Sequence, residues 1–79
     1  MANDLEEKLT MIFRLVLELP DAADVARIRR INQARWDSLA HVTLTTAIEG
    51  EFGVTLDAKD IERLTSYQAT LLLLRERQV

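Results

Sequence analysis

The chain has 79 residues, 48% of them hydrophobic and 29% charged, with a formal net charge of −3. This composition is typical of one small globular domain: it is too apolar for a disordered tail, and so short a chain leaves no room for a deep, enclosed active site. The lack of cysteine excludes disulfides and thiolate chemistry, the single histidine excludes metal sites with several imidazoles, and the acidic balance argues against nucleic-acid binding.

A first helix is predicted because Leu5, Leu9, Ile12, Phe13 and Val16 recur at helical spacing. Asn3 or Asp4 is the expected N-cap. Pro20 is expected to end the helix, because the residue before a proline resists the helical conformation.

No membrane span is expected from the apolar run of residues 11–19, which is broken by Arg14 and Glu18 and is far shorter than the ~20 residues that a span requires. The N-terminus is polar and acidic and does not have the basic-then-apolar order of a signal peptide. We therefore expect a cytoplasmic location.

A long loop with one short helical turn is predicted for residues 21–35, anchored by Val25, Ile28 and Ile31. The loop is basic, and its cationic residues are Arg27, Arg29, Arg30 and Arg35. A solvated loop is the favoured interpretation of these charges, and contact with an acidic partner is the alternative.

The second helix is predicted to begin near Ser38 and to run to about Glu51, with Gly53 as a left-handed cap. A third, short helix over residues 58–64 follows Asp57, which forms a potential capping box with Asp60. Ser66 is the expected cap of a last helix that ends at residues 75–77, and its leucines are expected to be buried. The prediction is an all-α, monomeric four-helix bundle in a single domain, residues 1–79, with a long first loop.

Two apolar faces are predicted on the second helix. Leu44, Ile48 and Phe52 share the face expected to point into the core. A second, roughly opposite face begins beside the serine and consists of Leu39, Val42 and Thr46. Because a helix of a small domain normally needs one apolar stripe, we interpret the second face as a partner-docking surface; the alternative is that the long loop covers it.

Ser38 is the residue with the clearest chemical potential. Taken alone, Asp37 and Ser38 are ordinary N-cap residues. A hydroxyl at the first helical position nevertheless lies where the helix dipole and free N–H groups stabilise an anion such as a phosphodiester. Asp37 could help to hold a divalent metal brought by a modifying enzyme. His41 is expected to be packed and hydrogen-bonded, and it is poorly placed to activate Ser38 as a hydrolase nucleophile.

The chain resembles the acyl carrier and peptidyl carrier protein family. The resemblance rests on Asp37-Ser38-Leu39 and on the later run Glu49-Gly50-Glu51-Phe52-Gly53-Val54, together with helix order and length. It implies that a separate phosphopantetheinyl transferase attaches 4′-phosphopantetheine from coenzyme A to Ser38, and that the arm carries an acyl or aminoacyl group as a thioester. It also implies a carrier rather than an enzyme, served by an acyl-loading ligase or acyltransferase and a downstream synthase.

The second helix departs from many members of that family because it has few acidic residues. Ala40, Thr43 and Gly50 stand where carboxylates are often found, which leaves Glu49 and Glu51; Glu49 is a candidate partner contact. Weaker electrostatic steering favours a specialised pathway, such as a secondary metabolite, modified lipid or surface polysaccharide, over general fatty-acid elongation.

Trp36 precedes the motif where fatty-acid carriers often have glycine; we expect it to anchor the loop, and a contact with a partner is the alternative. Two other functions compete with a carrier. The first is an unmodified helical protein-interaction module. The second, a helix-turn-helix DNA binder, is disfavoured by the acidic balance.

Overall fold

The computed structural model describes residues 4–79. Over these residues the chain is all-α and contains no strand. It forms four helices, α1 (Asp4–Val16), α2 (Ser38–Phe52), α3 (Ala58–Glu62) and α4 (Tyr67–Glu76), and two 3-10 turns, Val25–Arg27 and Arg30–Asn32, lie in the long connection after α1. The predicted four helices, long first connection and short third helix are therefore confirmed, while the predicted cap at Asn3 lies outside the described residues. No helix within residues 4–79 has the length and apolar character that crossing a bilayer requires.

Helix α1 ends earlier than predicted. Its last residue is Val16, and Glu18 takes the left-handed conformation with φ 52°. The Leu19 N–H donates to the Arg14 carbonyl at 3.0 Å, which is the long bond of a Schellman motif. The left-handed residue therefore ends the helix, and Pro20 lies in the connection that follows.

One cluster of buried hydrophobic residues is shared by α1, α2, α4 and the long connection. Phe13 lies within it, with its ring 5.3 Å from Trp36 and 5.3 Å from Tyr67, both edge-to-face. This geometry is favourable for aromatic pairs. It ties the end of the long connection and the start of α4 to the same residue of α1.

The long connection is anchored by two of its three predicted residues. Val25 and Ile28 are buried, whereas Ile31 is 85% exposed, so the prediction for Ile31 was wrong. In a 3-10 helix, residues three apart lie on one side. Ile28 and Arg29 have extended backbones, which interrupt that repeat between the two turns and direct Ile31 towards solvent.

The second half of the fold follows the predicted caps closely. Gly53 adopts φ 64° after α2, and Asp57 and Asp60 form a reciprocal capping box at α3. Helix α3 ends at Glu62, short of the predicted residue 64, although Leu64 is buried. The predicted cap of α4 is also confirmed, because the Ser66 side chain accepts a hydrogen bond from a backbone N–H of its first turn.

Candidate functional site

Ser38 is the first residue of α2 and is exposed. Within residues 4–79, no hydrogen bond or ion pair engages its side chain. The helix that it begins is 15 residues long. Because the first N–H groups of a helix lack intrahelical partners, the free hydroxyl lies beside the positive end of a long helix dipole.

Asp37, and not Ser38, is the N-cap of α2. Its Oδ1 accepts a hydrogen bond from the Ala40 N–H at 2.8 Å, and its carbonyl accepts one from the His41 N–H at 2.9 Å. The sequence alone allowed either residue to be the cap. Since Asp37 performs this role, the Ser38 hydroxyl is left available for other chemistry.

The second apolar face of α2 is open to solvent. Leu39 is 76% exposed and Val42 is 62% exposed, and Thr46 is exposed as well. Leu44 and Ile48, on the other face, are fully buried. The predicted separation of the two faces is confirmed and the long connection does not cover the outer one, whereas its role in docking stays a prediction.

A shallow groove adjoins the serine, between the end of α1 and the first turns of α2. It is lined by Val16, Leu17, Glu18, Arg35, Asp37, Leu39, Ala40 and Thr43. Both sequence neighbours of Ser38 are therefore among its walls. Its lining combines apolar side chains with the charged groups of Glu18, Arg35 and Asp37.

The ion pair between Glu18 and Arg35 at the edge of this groove was not predicted from the sequence. The Arg35 Nη1 lies 2.7 Å from the Glu18 Oε2, and both side chains are largely exposed. Such exposed pairs contribute little to stability. The sequence gives one local indication for Glu18: it lies two residues before Pro20, a position at which helices often end in a left-handed residue. No local pattern indicates that Arg35 would be its ion-pair partner.

The two carboxylates of α2 both have partners within the chain. Glu49 is half-buried, and its Oε2 accepts a hydrogen bond from the Leu56 N–H at 2.8 Å. Glu51 lies 3.9 Å from the Lys8 ammonium. The Glu49 carboxylate therefore braces the link between α2 and α3, and its contact with a partner stays a prediction.

His41 is buried, and both of its ring nitrogens are hydrogen-bonded. Nδ1 accepts from the Trp36 indole N–H at 2.9 Å, and Nε2 lies 3.0 Å from the Ile61 carbonyl. An Nδ1 that accepts places the proton of the neutral ring on Nε2, where it donates to Ile61. Trp36 is thus confirmed as an anchor of the connection. No hydrogen bond within residues 4–79 joins His41 to Ser38, so the two residues do not form a nucleophile and its base.

The described residues contain no group of three or more His, Cys, Asp or Glu side chains that could hold a metal ion. Comparison with models of protein families, with curated proteins and with solved structures found no match for the chain. Function is therefore inferred from the motif and the geometry around Ser38.

Proposed function

We propose that this protein is a carrier of the acyl or peptidyl carrier type, with 4′-phosphopantetheine attached to Ser38. The observation that carries the proposal is the unengaged, exposed hydroxyl at the start of α2, within Asp37-Ser38-Leu39. A serine that served as the cap would have its oxygen occupied by a backbone N–H, but here Asp37 accepts that bond. A four-helix fold with a long first connection and a short third helix also agrees with this family resemblance.

The modification is a phosphoryl transfer. The Ser38 oxygen forms a bond to the phosphorus that bears the pantetheine portion of coenzyme A, and the bond from this phosphorus to the bridging pyrophosphate oxygen breaks. Adenosine 3′,5′-bisphosphate leaves, and a base of the transferase takes the serine proton. When bound, the arm supplies the thiol that holds an acyl or aminoacyl group as a thioester, in a chain that has no cysteine.

The residues around Ser38 have separate roles in this proposal. Asp37 holds the first turn of α2 in place and presents a carboxylate that the metal of a transferase can share. Leu39 and Val42 form the apolar surface on which the transferase, the loading ligase or acyltransferase, and the downstream synthase dock. The arm would leave the surface beside this face, so one enzyme can contact both.

A specialised pathway is part of the proposal. The acidic side chains of α2, Glu49 and Glu51, are engaged within the chain by Leu56 and Lys8. Glu49 keeps its charge but is half-buried, and Glu51 faces Lys8, so this helix with only two carboxylates presents a weak negative field to basic partners. Recognition would instead depend on the apolar face, which suits a small set of dedicated enzymes.

The test is the intact mass of the protein after co-expression with a broad-specificity phosphopantetheinyl transferase. The chain has two serines, Ser38 and Ser66, so Ser66→Ala is a matched control. We expect the wild type and Ser66→Ala to gain the mass of one arm and Ser38→Ala to gain none. An arm on Ser38→Ala, or no arm on folded wild type with several transferases, would refute the proposal.

The competing function is an unmodified interaction module. The exposed face of Leu39 and Val42 also favours this function, because such a face can contact a partner even when Ser38 carries no arm. The mass experiment separates the two, because an interaction module stays unmodified, and Ser38→Ala would then leave partner binding unchanged.

A further inference from the structure

A basic patch lies on the long connection, away from the helix that begins at Ser38. It consists of Arg27, Arg29, Arg30 and Ile31, all of them exposed, and we call it the arginine patch. Ile31 has the largest exposed fraction, 85%, of the exposed large hydrophobic residues in the described part of the chain. Three arginines thus lie close in sequence to an apolar side chain that is not packed against the core.

The charges of the arginine patch are not neutralised within the described residues. None of its three guanidinium groups forms an ion pair there, whereas four other arginines pair with carboxylates: Arg35, Arg63, Arg75 and Arg77. Residues 25–34 contain three arginines and no acidic residue. Because the whole chain carries −3, the rest of it carries −3 minus +3, or −6. The patch is therefore a local cationic surface on an acidic protein.

The backbone beneath the arginine patch is held in place by the junction of α3 and α4. The Arg30 N–H donates to the Thr65 carbonyl at 2.8 Å, and the Tyr67 N–H donates to the Ile28 carbonyl at 3.0 Å. Arg29 and Ser66 form an antiparallel bridge at the same place. The arginines are therefore presented from a fixed backbone, which lowers the entropic cost of binding.

Two shallow hollows flank Arg29 at this junction. One is lined by Arg29, Arg30, Ile31, Thr65 and Ser66. The other has the walls Ala26, Arg27, Ile28, Arg29, Asn32, Ser66 and Gln68. Each hollow combines guanidinium groups with an isoleucine and hydroxyl or amide groups. A segment with carboxylates on either side of an apolar residue would complement this surface.

We infer that the arginine patch binds a carboxylate-rich segment of a partner protein, with an apolar side chain of that segment against Ile31. Guanidinium groups form two parallel hydrogen bonds with carboxylates, and arginine is enriched in protein interfaces. A long polyanion such as nucleic acid fits less well, because it would extend beyond three cations onto a surface with a charge of −6. The inference does not depend on the arm at Ser38, so unmodified protein suffices to test it.

The probe is a short fluorescein-labelled peptide of Glu, Asp and Leu, compared with the same peptide in which Gln and Asn replace the acids. Binding to the full chain is measured by anisotropy, and amide chemical-shift changes locate it. We expect shifts centred on residues 26–32 and 65–68, and roughly five- to tenfold weaker binding for Arg29→Gln and for Arg30→Gln, since each loses charge-assisted hydrogen bonds. Lys59→Gln, which removes one exposed charge from α3, is the matched control and should bind like the wild type.

Several results would overturn the inference. No binding of the acidic peptide at about 1 mM is one. Equal binding of the Gln and Asn peptide, or equal weakening by Lys59→Gln, would show that the patch does not recognise carboxylates specifically. Tighter binding of single-stranded DNA or of vesicles that contain an anionic phospholipid would assign the patch to phosphate groups instead of a protein partner.

Discussion

A charge placed on either face of α2 tests the two-face arrangement on which partner docking depends. Val42→Glu puts a carboxylate on the outer face, at a position that is 62% exposed. Ile48→Glu puts the same group at a position that is fully buried. The two substitutions introduce the same side chain into one helix, so their difference reports burial.

The expected magnitudes follow from these exposures. Val42 is 62% exposed, so 38% of its surface is buried. Removing the buried part of this side chain should cost less than about 1 kcal/mol, and the better helix propensity of Glu offsets part of that cost. At Ile48 the buried side chain is lost and an unpaired carboxylate is buried, for about 5 kcal/mol or more. A chain of 79 residues has a free energy of unfolding of about 4–12 kcal/mol. We therefore expect Val42→Glu to keep nearly all of its free energy of unfolding and Ile48→Glu to lose a large part of it.

Urea denaturation followed by circular dichroism and by the fluorescence of Trp36, the single tryptophan, measures the free energy of unfolding. Val42→Ala and Ile48→Ala extend the comparison if Ile48→Glu does not fold; the first should be near neutral, and the second should cost about 2–5 kcal/mol. The rate of arm attachment is then measured on folded Val42→Glu and should fall. Equal destabilisation by the two Glu variants would refute the two-face arrangement, and an unchanged rate of attachment would refute the docking role of Val42.

Four other expected outcomes concern the cap of α2, the buried hydrogen bond between Trp36 and His41, the acidity of Asp60, and loading by a fatty-acid synthase system. Ser38→Ala should change the free energy of unfolding by at most about 0.5 kcal/mol, whereas Asp37→Ala should cost about 1 kcal/mol, and the reverse order in urea denaturation would contradict the cap assignment. Trp36→Phe and His41→Phe should each lower the free energy of unfolding by about 1–3 kcal/mol, because each leaves a buried polar atom unpaired. The double variant should lose less than the sum of the two single losses, and a loss equal to that sum would show that the hydrogen bond between the two side chains contributes nothing. The hydrogen bond from the Asp57 N–H, with the nearby guanidinium groups of Arg77 and Arg63, keeps the pKa of Asp60 below its ordinary value. As the pH falls, the Asp60 carboxylate is therefore protonated in the unfolded chain before it is protonated in the folded one, and the free energy of unfolding should drop through the acid range. Asp60→Asn should make this part of the pH profile flatter in thermal melts. The arm-bearing protein offered to a fatty-acid synthase system should be loaded and elongated poorly, and rates equal to those of that system's own carrier would contradict a specialised role.

Local patterns predicted most of the secondary structure. The spacing of apolar residues predicted α1 and the buried face of α2, since every residue of one helical face lies within a few positions of the next. Gly53, Asp57 and Ser66 marked helix ends because their preferences depend on the backbone of the same few residues. The position of Ser38 at the start of α2 was predictable for the same reason, whereas its candidacy as an attachment site came from the resemblance carried by Asp37-Ser38-Leu39.

Features that depend on residues distant in sequence needed the tertiary structure. Arg35 pairs with Glu18, 17 positions away. His41 bonds to Ile61, 20 positions away. No local pattern specifies such partners, because they are brought together by the packing of α1, α2 and α3 around a common core.

The tertiary structure was also needed to show which charged side chains have a hydrogen-bond or ion-pair partner within the described residues and which do not. From the sequence, Glu49 was a candidate partner contact and the arginines at 27, 29 and 30 belonged to a solvated loop. Folding brings the Leu56 N–H within reach of Glu49, and within residues 4–79 no carboxylate forms an ion pair with those arginines. The sequence by itself determined where the helices begin and which of their faces are apolar, because those properties depend on neighbouring residues. Which charges remain available to a partner was decided by the arrangement of the helices, because an ion pair or hydrogen bond depends on distances that only the complete fold defines.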